Sequence, residues 1–194
     1  MIVCYLKSEV KNELKASIIN KDIIGLVPTM GSLHEGHLSL IKTAVENCNQ
    51  VWVSIFINPT QFNNESDLKN YPKNIKKDIK LIKSVSKKIK VFCPEINEMY
   101  EKGLNYKQYN FNGIDSKLEG KYRKDHFNGV ATIVSKLFEL FKPNQAFFGE
   151  KDFQQTQIIK RLINLEKHNT KLIICPTIRE KNGLAMSSRN SLLS

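Results

Sequence analysis

The chain has 194 residues, a formal net charge of +11 at pH 7 and a hydrophobic fraction of 41%, as expected of a globular domain. No apolar run approaches the ~20 residues of a membrane helix, and the first residues lack the apolar core of a signal peptide, so a cytoplasmic protein that does not bind membranes is predicted. The four cysteines match no zinc-binding spacing, and the lysines are dispersed along solvated helix faces, so neither a zinc framework nor nucleic-acid binding is predicted.

Hydrophobic periodicity predicts helices and strands that alternate along the chain. The predicted helices cover residues 7–19, 32–48, 72–87, 127–141 and 153–166. The predicted strands cover residues 23–27, 51–57, 89–93, 146–148 and 171–175, with a possible short strand at 106–111. Pro28 is expected to end the first of these strands because it lacks an N–H.

This alternation predicts an α/β fold with a Rossmann-like parallel sheet and helices on both of its faces. The second strand is apolar almost throughout, which is typical of a strand buried on both faces. Right-handed crossovers place the carboxyl ends of all strands at one edge, where such sheets bind their ligands.

The segment Val27–His37, V-P-T-M-G-S-L-H-E-G-H, lies between the first strand and its helix. Ser32 and Glu35 match a capping box, so the helix is predicted to begin at Ser32. His34 and His37 then share the first helical turn, where free N–H groups and the helix dipole favour an anion such as phosphate. Two solvated histidines are the alternative, whereas zinc ligands on a helix favour a spacing of four residues.

The string P-T-M-G-S-L-H-E-G-H resembles the signature of the pantothenate synthetase (pantoate–β-alanine ligase) family. Its H-E-G-H part resembles the HIGH-type element of the nucleotidylyl-transferase superfamily. Four further strings resemble the same family pattern, at residues 56–62, 119–130, 148–155 and 178–190. Three positions depart from it: Lys124 and Asp125 replace a Pro-Gly pair, and Asn182 replaces an aspartate.

The resemblance implies that ATP activates pantoate as pantoyl adenylate and that β-alanine then displaces AMP. It implies catalytic roles for His34, His37, Lys151, Ser188 and Arg189, and pantoate binding by Gln61 and Gln155. The implied ATP-binding residues are Met30, Gly31, Ser32, Leu33, His34, Glu35, Gly36, His37, Gly149, Glu150, Lys151, Asp152, Ile178, Met186, Ser187, Ser188 and Arg189. Magnesium is expected with the triphosphate, and Asp78 is a weak candidate ligand.

The resemblance also implies that residues 1–194 form the family's nucleotide- and pantoate-binding domain, without its smaller C-terminal domain, and that the protein is a homodimer. Two alternatives stay open. The chain could be a related adenylyltransferase that acts on another acid, although Gln61 and Gln155 favour pantoate. It could also be a nucleotide- or RNA-binding module without catalytic activity, because its net charge is positive.

Overall fold

A computed structural model describes residues 1–190, so the last four residues of the predicted domain lie outside the described part. Its strands are β1 (Val3–Cys4), β2 (Ile24–Thr29), β3 (Gln50–Ile55), β4 (Lys90–Phe92), β5 (Gln145–Gly149) and β6 (Lys171–Cys175). Its α-helices are α1 (Lys7–Ile19), α2 (Glu35–Asn47), α3 (Glu65–Asn70), α4 (Ile75–Val85), α5 (Ile96–Met99), α6 (Leu118–Tyr122), α7 (His126–Phe141) and α8 (Phe153–Leu165). Short 3-10 turns lie at Pro59–Gln61, Ile114–Ser116 and Glu150–Asp152.

Within residues 1–190 the six strands form one sheet in the order β1-β4-β3-β2-β5-β6, and every pairing between them is parallel. The chain winds outward from β2 through β3 to β4, and it later resumes on the other side of β2 with β5 and β6. The switch point of this Rossmann-like sheet therefore lies between β2 and β5, where a ligand crevice is expected at the carboxyl ends.

Alternate side chains of the strands serve two separate cores, one on each face of the sheet. Leu26 and Trp52 join a core with α1, α7 and α8, whereas Val27 and Val53 join a core with α2 and α4. Both faces are covered by helices, which confirms the predicted fold class. It also explains why the central strands are apolar along their whole length.

The predicted end of the first strand is wrong, because β2 continues through Pro28 to Thr29. The carbonyl of Ile24 accepts a hydrogen bond from Asn144 on the β5 side, and the carbonyl of Thr29 accepts one from Phe56 on the β3 side. In an extended strand, the backbone N–H and C=O groups of successive residues point to opposite neighbouring strands, so the backbone nitrogen of Pro28 faces β5. The pairing of β2 with β5 already ends at Leu26. The missing N–H of Pro28 therefore removes no bond from the sheet.

Other boundaries differ by a few residues, and the short elements β1, α3, α5 and α6 were not predicted. The edge strand β1 is too short to produce a periodic signal, and residues 106–111 form no strand. Among residues 1–190, no helix has the length and apolar character needed to cross a bilayer.

Candidate active site

A cleft of about 240 Å³ opens at the carboxyl edge of the sheet, at the switch point between β2 and β5. Its walls come from the ends of β2, β3 and β5, from α2 and α7, and from the segment after β6. Fourteen of the predicted site residues line it: Met30, His34, Gly36, His37, Gln61, Gly149, Lys151, Asp152, Gln155, Ile178, Met186, Ser187, Ser188 and Arg189. The fold thus brings all five sequence motifs to one cavity, while the ligand contact of each residue stays a prediction.

The two histidines cap the N-terminus of α2. His34 is the N-cap residue, and its Nδ1 accepts a hydrogen bond from the N–H of Gly36 at 3.1 Å. The Nδ1 of His37 accepts from the N–H of His34 at 3.3 Å. Because both Nδ1 atoms are acceptors, we infer that both rings carry their proton on Nε2, which leaves an N–H donor on each ring for a ligand.

Both histidines are neutral near pH 7. Burial, with smaller contributions from the neighbouring His34 and Lys151, lowers the pKa of His37 to about 3. Burial also lowers the pKa of His34, again with help from Lys151. Neutral imidazoles can sit at the positive end of a helix without charge repulsion and still donate hydrogen bonds to an anion.

The predicted capping box at Ser32 is wrong, because the loop before α2 is held by a different group. Ser32 has a positive φ of 51°, and its N–H and that of Leu33 donate to the Asp78 carboxylate at 2.9 and 2.8 Å. Gly31, with φ 81°, passes so close that an added Cβ would lie 2.9 Å from Asp78 Oδ2. The loop therefore needs glycine at this position, and Asp78 anchors the loop.

Asp78 and five of the predicted nucleotide-binding residues lie outside the cleft lining, and the nucleotide contacts of those five stay predictions. Asp78 is buried, and both of its oxygens already accept backbone hydrogen bonds, so it is not the free carboxylate that a magnesium ligand requires. Gly31, Ser32 and Leu33 shape the loop from outside the cleft lining. Glu35 and Glu150 are exposed and also lie outside the lining.

Gln61 is fixed at both its side chain and its backbone. Its Oε1 accepts from Asn58 Nδ2 at 3.1 Å, so its Nε2 points toward Met30 and the cleft. Its backbone carbonyl accepts from Arg123 at 3.2 Å and from His126 Nδ1 at 2.6 Å. Gln61 therefore offers a donor to a ligand, whereas its acceptor atoms are occupied.

Asn58 is in turn held by a buried hydroxyl network that the sequence did not reveal. Its Oδ1 accepts from Tyr100 at 2.5 Å and from Thr60 at 3.0 Å, and its amide also donates to the carbonyl of Gly129 at 3.1 Å. Tyr100 lies about forty residues away in sequence, in a segment without a recognisable motif. Only the parallel sheet and α7 bring these groups together.

Of the residues that the structure describes, three cations line the cleft, and each is paired with a carboxylate. Lys151 Nζ lies 3.0 Å from Asp152, Arg123 lies 2.5 Å from Glu119, and Arg189 lies 2.9 Å from Asp67. Arg189 also stacks on the ring of Tyr71, at 5.4 Å from its centre. An anionic ligand can replace these partners, because ion pairs with this exposure contribute little stability.

Ser188 connects the segment after β6 to the loop that precedes α2, because its hydroxyl donates a hydrogen bond to the carbonyl of Ser32 at 3.0 Å. Two of the three departures from the family pattern, Asp125 and Asn182, fit the loops that contain them. Asp125 adopts the left-handed region, with φ 59°, which aspartate tolerates better than most residues. Asn182 accepts a hydrogen bond from the N–H of Leu184 at 3.0 Å, as an aspartate would.

Within residues 1–190, no group of three or more His, Cys, Asp or Glu side chains is placed to hold a metal ion. Asp152 and Glu119 are the carboxylates in the cleft lining. Mg²⁺ commonly binds through substrate phosphates, water and one or two carboxylates. Both carboxylates are paired with cations, so a magnesium ion here would be held chiefly by substrate phosphates and water.

Comparison with known proteins identifies relatives over the whole chain. Residues 3–194 match the family model described as pantoate-beta-alanine ligase. A pantothenate synthetase from Flavobacterium psychrophilum is 47% identical over 194 residues, covering 100% of this chain and 69% of that protein. One from Christiangramia forsetii is 53% identical over 171 residues, covering 88% of this chain and 60% of that protein. The chain thus spans about 60 to 69% of the length of these relatives.

Solved structures share the fold. Pantoate-beta-alanine ligase from Francisella tularensis, complexed with beta-gamma ATP and beta-alanine, matches with a TM-score of 0.93 at 42% identity. The match covers 100% of this chain and 74% of that one. Pantothenate synthetase from Thermus thermophilus matches with a TM-score of 0.92 at 36% identity, over 100% of this chain and 68% of that one.

Proposed function

Because the chain belongs to the pantoate–β-alanine ligase family, we propose that its cleft carries out the ATP-dependent joining of pantoate and β-alanine. In the first step, a pantoate carboxylate oxygen attacks the α-phosphorus of ATP, and pyrophosphate leaves. In the second, the β-alanine amine attacks the acyl carbon, AMP leaves with the bridging oxygen, and the amine proton passes to solvent. The products are pantothenate, AMP and pyrophosphate.

The observation that carries this proposal is the cap formed by His34 and His37, with Lys151 facing it across the switch point. Two neutral rings with Nε2–H groups and one ammonium converge where a polyphosphate would lie. Negative charge grows on the phosphate oxygens during adenylate formation, and donors fixed beforehand stabilise it. The protein needs no covalent nucleophile for this chemistry.

The remaining lining residues supply positions for the other parts of the substrates. Ser188 and Arg189 are placed to contact the phosphates, once Arg189 exchanges Asp67 for a phosphate partner. Gln61 and Gln155 both line the cleft, and their side-chain amides bind the hydroxy acid. Asp152, Ile178 and Met186 contact the adenosine part of ATP.

The proposal extends to the cellular setting. Magnesium enters as the ATP complex. The protein acts as a cytoplasmic homodimer: the free state of all four cysteines agrees with a reducing compartment, and exposed apolar side chains such as Ile18 and Ile19 agree with an interface. Light scattering on the purified protein tests the dimer.

The test of the reaction is exchange of radiolabelled pyrophosphate into ATP. We expect exchange only when pantoate is present, and we expect Lys151→Met to abolish it. Lys160→Met, which removes an exposed lysine of α8 outside the cleft, serves as the matched control. Exchange that is independent of pantoate, or supported better by another hydroxy acid, would refute the proposed substrate.

A further inference from the structure

The part of the cleft between the sheet and α7 forms a chamber with apolar walls. Phe56, Val130, Val134 and Phe148 line it. Each of these side chains belongs to the core on the α7 face of the sheet, so the chamber continues that core toward the carboxyl edge. Gln61 lies at the same edge and presents its Nε2.

Ser54 introduces a polar atom into this chamber. It belongs to β3, and it alternates with Val53 and Ile55, which face the opposite core, so its side chain points toward α7. Ser54 is 1% exposed and lines the cleft. Among residues 1–190, its Oγ has no hydrogen-bond partner, although its backbone carbonyl accepts from Thr29.

A buried hydroxyl without a partner costs free energy, which a ligand that completes the hydrogen bond would recover. In the described part of the chain, two other buried side-chain polar atoms lack partners, on Gln154 and Arg161, but neither residue lines the cleft. Ser54 is therefore the unsatisfied group that a ligand in the cleft can reach.

The charge distribution selects which part of a hydroxy acid reaches Ser54. The cations Lys151, Arg123 and Arg189 belong to the outer lining of the cleft, whereas the named chamber walls carry no charge. A carboxylate in the chamber would remain unpaired, so it must face the cations and the nucleotide. The uncharged end of the acid, which carries its terminal hydroxyl, then enters the chamber.

We propose that Ser54 is a specificity-determining residue whose hydroxyl hydrogen-bonds the terminal hydroxyl of the substrate acid. This proposal rests on the proposed function, because it assumes pantoate as the acid. It explains why a serine interrupts the apolar run at residues 51–56. It also predicts that acids without the terminal hydroxyl bind less well, since they leave Ser54 unpaired in the chamber.

The experiment compares pantoate with the analogue in which hydrogen replaces the terminal hydroxyl. Calorimetry with a non-hydrolysable ATP analogue measures both affinities for the unchanged chain, Ser54→Ala and the control Ser84→Ala, whose residue is exposed on α4. We expect Ser54→Ala to bind pantoate roughly 3- to 10-fold more weakly and the analogue as before. The preference for pantoate should collapse in this variant and persist in Ser84→Ala.

Each other result overturns the inference in a distinct way. Unchanged pantoate affinity in Ser54→Ala would show that the hydroxyl does not contact the acid. An equal loss for pantoate and analogue would assign Ser54 a structural role. If Ser54→Ala does not fold, Ser54→Cys replaces it, because a thiol is a much weaker hydrogen-bonding group than a hydroxyl. If the unchanged chain binds the nucleotide but not pantoate, the proposed function itself fails.

Discussion

At the scale of single residues, the histidine cap makes the strongest prediction. Replacing His37 by alanine removes an Nε2–H donor that the N-terminus of α2 holds in place. Loss of one such donor lowers the rate by about 10²- to 10³-fold, so pantoate-dependent pyrophosphate exchange should fall by that factor. His168→Ala, which alters a histidine outside the cleft, should leave the exchange rate unchanged. A rate close to that of the unchanged chain in folded His37→Ala would contradict the role.

Tyr100 should act on pantoate binding through Asn58 and Gln61. Tyr100→Phe removes the 2.5 Å bond to Asn58 Oδ1, which frees the Asn58 amide to turn and releases Gln61 Oε1. We expect KM for pantoate to rise roughly 3- to 10-fold, while KM for ATP stays constant. Tyr109→Phe, which removes a partly buried hydroxyl that bonds Glu166 instead, is the matched control. Equal changes in both KM values would indicate general damage rather than a positioning role.

Sequence reasoning identified the residues with distinctive chemistry and missed those that position them. His34, His37, Lys151 and the two glutamines stand in recognisable strings, and the fold places them together. Asp78, Asn58 and Tyr100 carry no comparable signal, because their importance comes from partners distant in sequence. The helix-capping role assigned to Ser32 was wrong, because α2 begins later and has His34 as its N-cap residue.

At the scale of elements, α7 must approach the turn Pro59–Gln61 very closely. A Cβ at Gly129 would collide with the backbone carbonyl of Thr60. Gly129→Ala should therefore destabilise the protein by about 1–3 kcal/mol and weaken pantoate binding, because the turn carries Gln61. The same change at Gly149, which has a negative φ and open space around it, should leave the free energy of unfolding nearly unchanged. Denaturant titration of the two variants makes the comparison, and equal stabilities would contradict it.

Element types could be predicted where hydrophobic periodicity is strong, and element ends could not. Helix α1 matches its predicted range, and β6 does as well. The end of β2 was missed because a proline breaks a strand only if its N–H would have been bonded, and that depends on the neighbouring strand. Residues 106–111 have the composition of a strand, but they lie on α7 through bonds to Thr132 and Asn128 instead.

At the scale of the whole molecule, Glu166 joins three distant segments and makes stability depend on pH. Burial would raise its pKa, but hydrogen bonds from Lys107, Ser135 and Tyr109 overcome this effect and lower the pKa to about 2. The folded state thus binds this proton less readily than the unfolded chain. The stability that Glu166 contributes is complete above its unfolded pKa, near 4.5, and is lost as the pH falls from there toward 2.

The variant Glu166→Gln should therefore be less stable near pH 7 and should lose less further stability on acidification. Glu46→Gln, at an exposed position of α2, is the control and should follow the unchanged chain. Denaturant midpoints between pH 7 and pH 3 provide the measurement. Parallel curves for the unchanged chain and Glu166→Gln would show that the carboxylate does not contribute to the acid response.

The central claim is that the cleft activates pantoate through attack of its carboxylate on the α-phosphorus. Pantoate labelled with heavy oxygen in the carboxylate tests this directly, with ATP and β-alanine present and the phosphorus products analysed by mass spectrometry. The account predicts one heavy oxygen atom in AMP and none in pyrophosphate, because the bridging oxygen stays on phosphorus when the amine attacks the acyl carbon. Label in inorganic phosphate, or AMP without label, would contradict it.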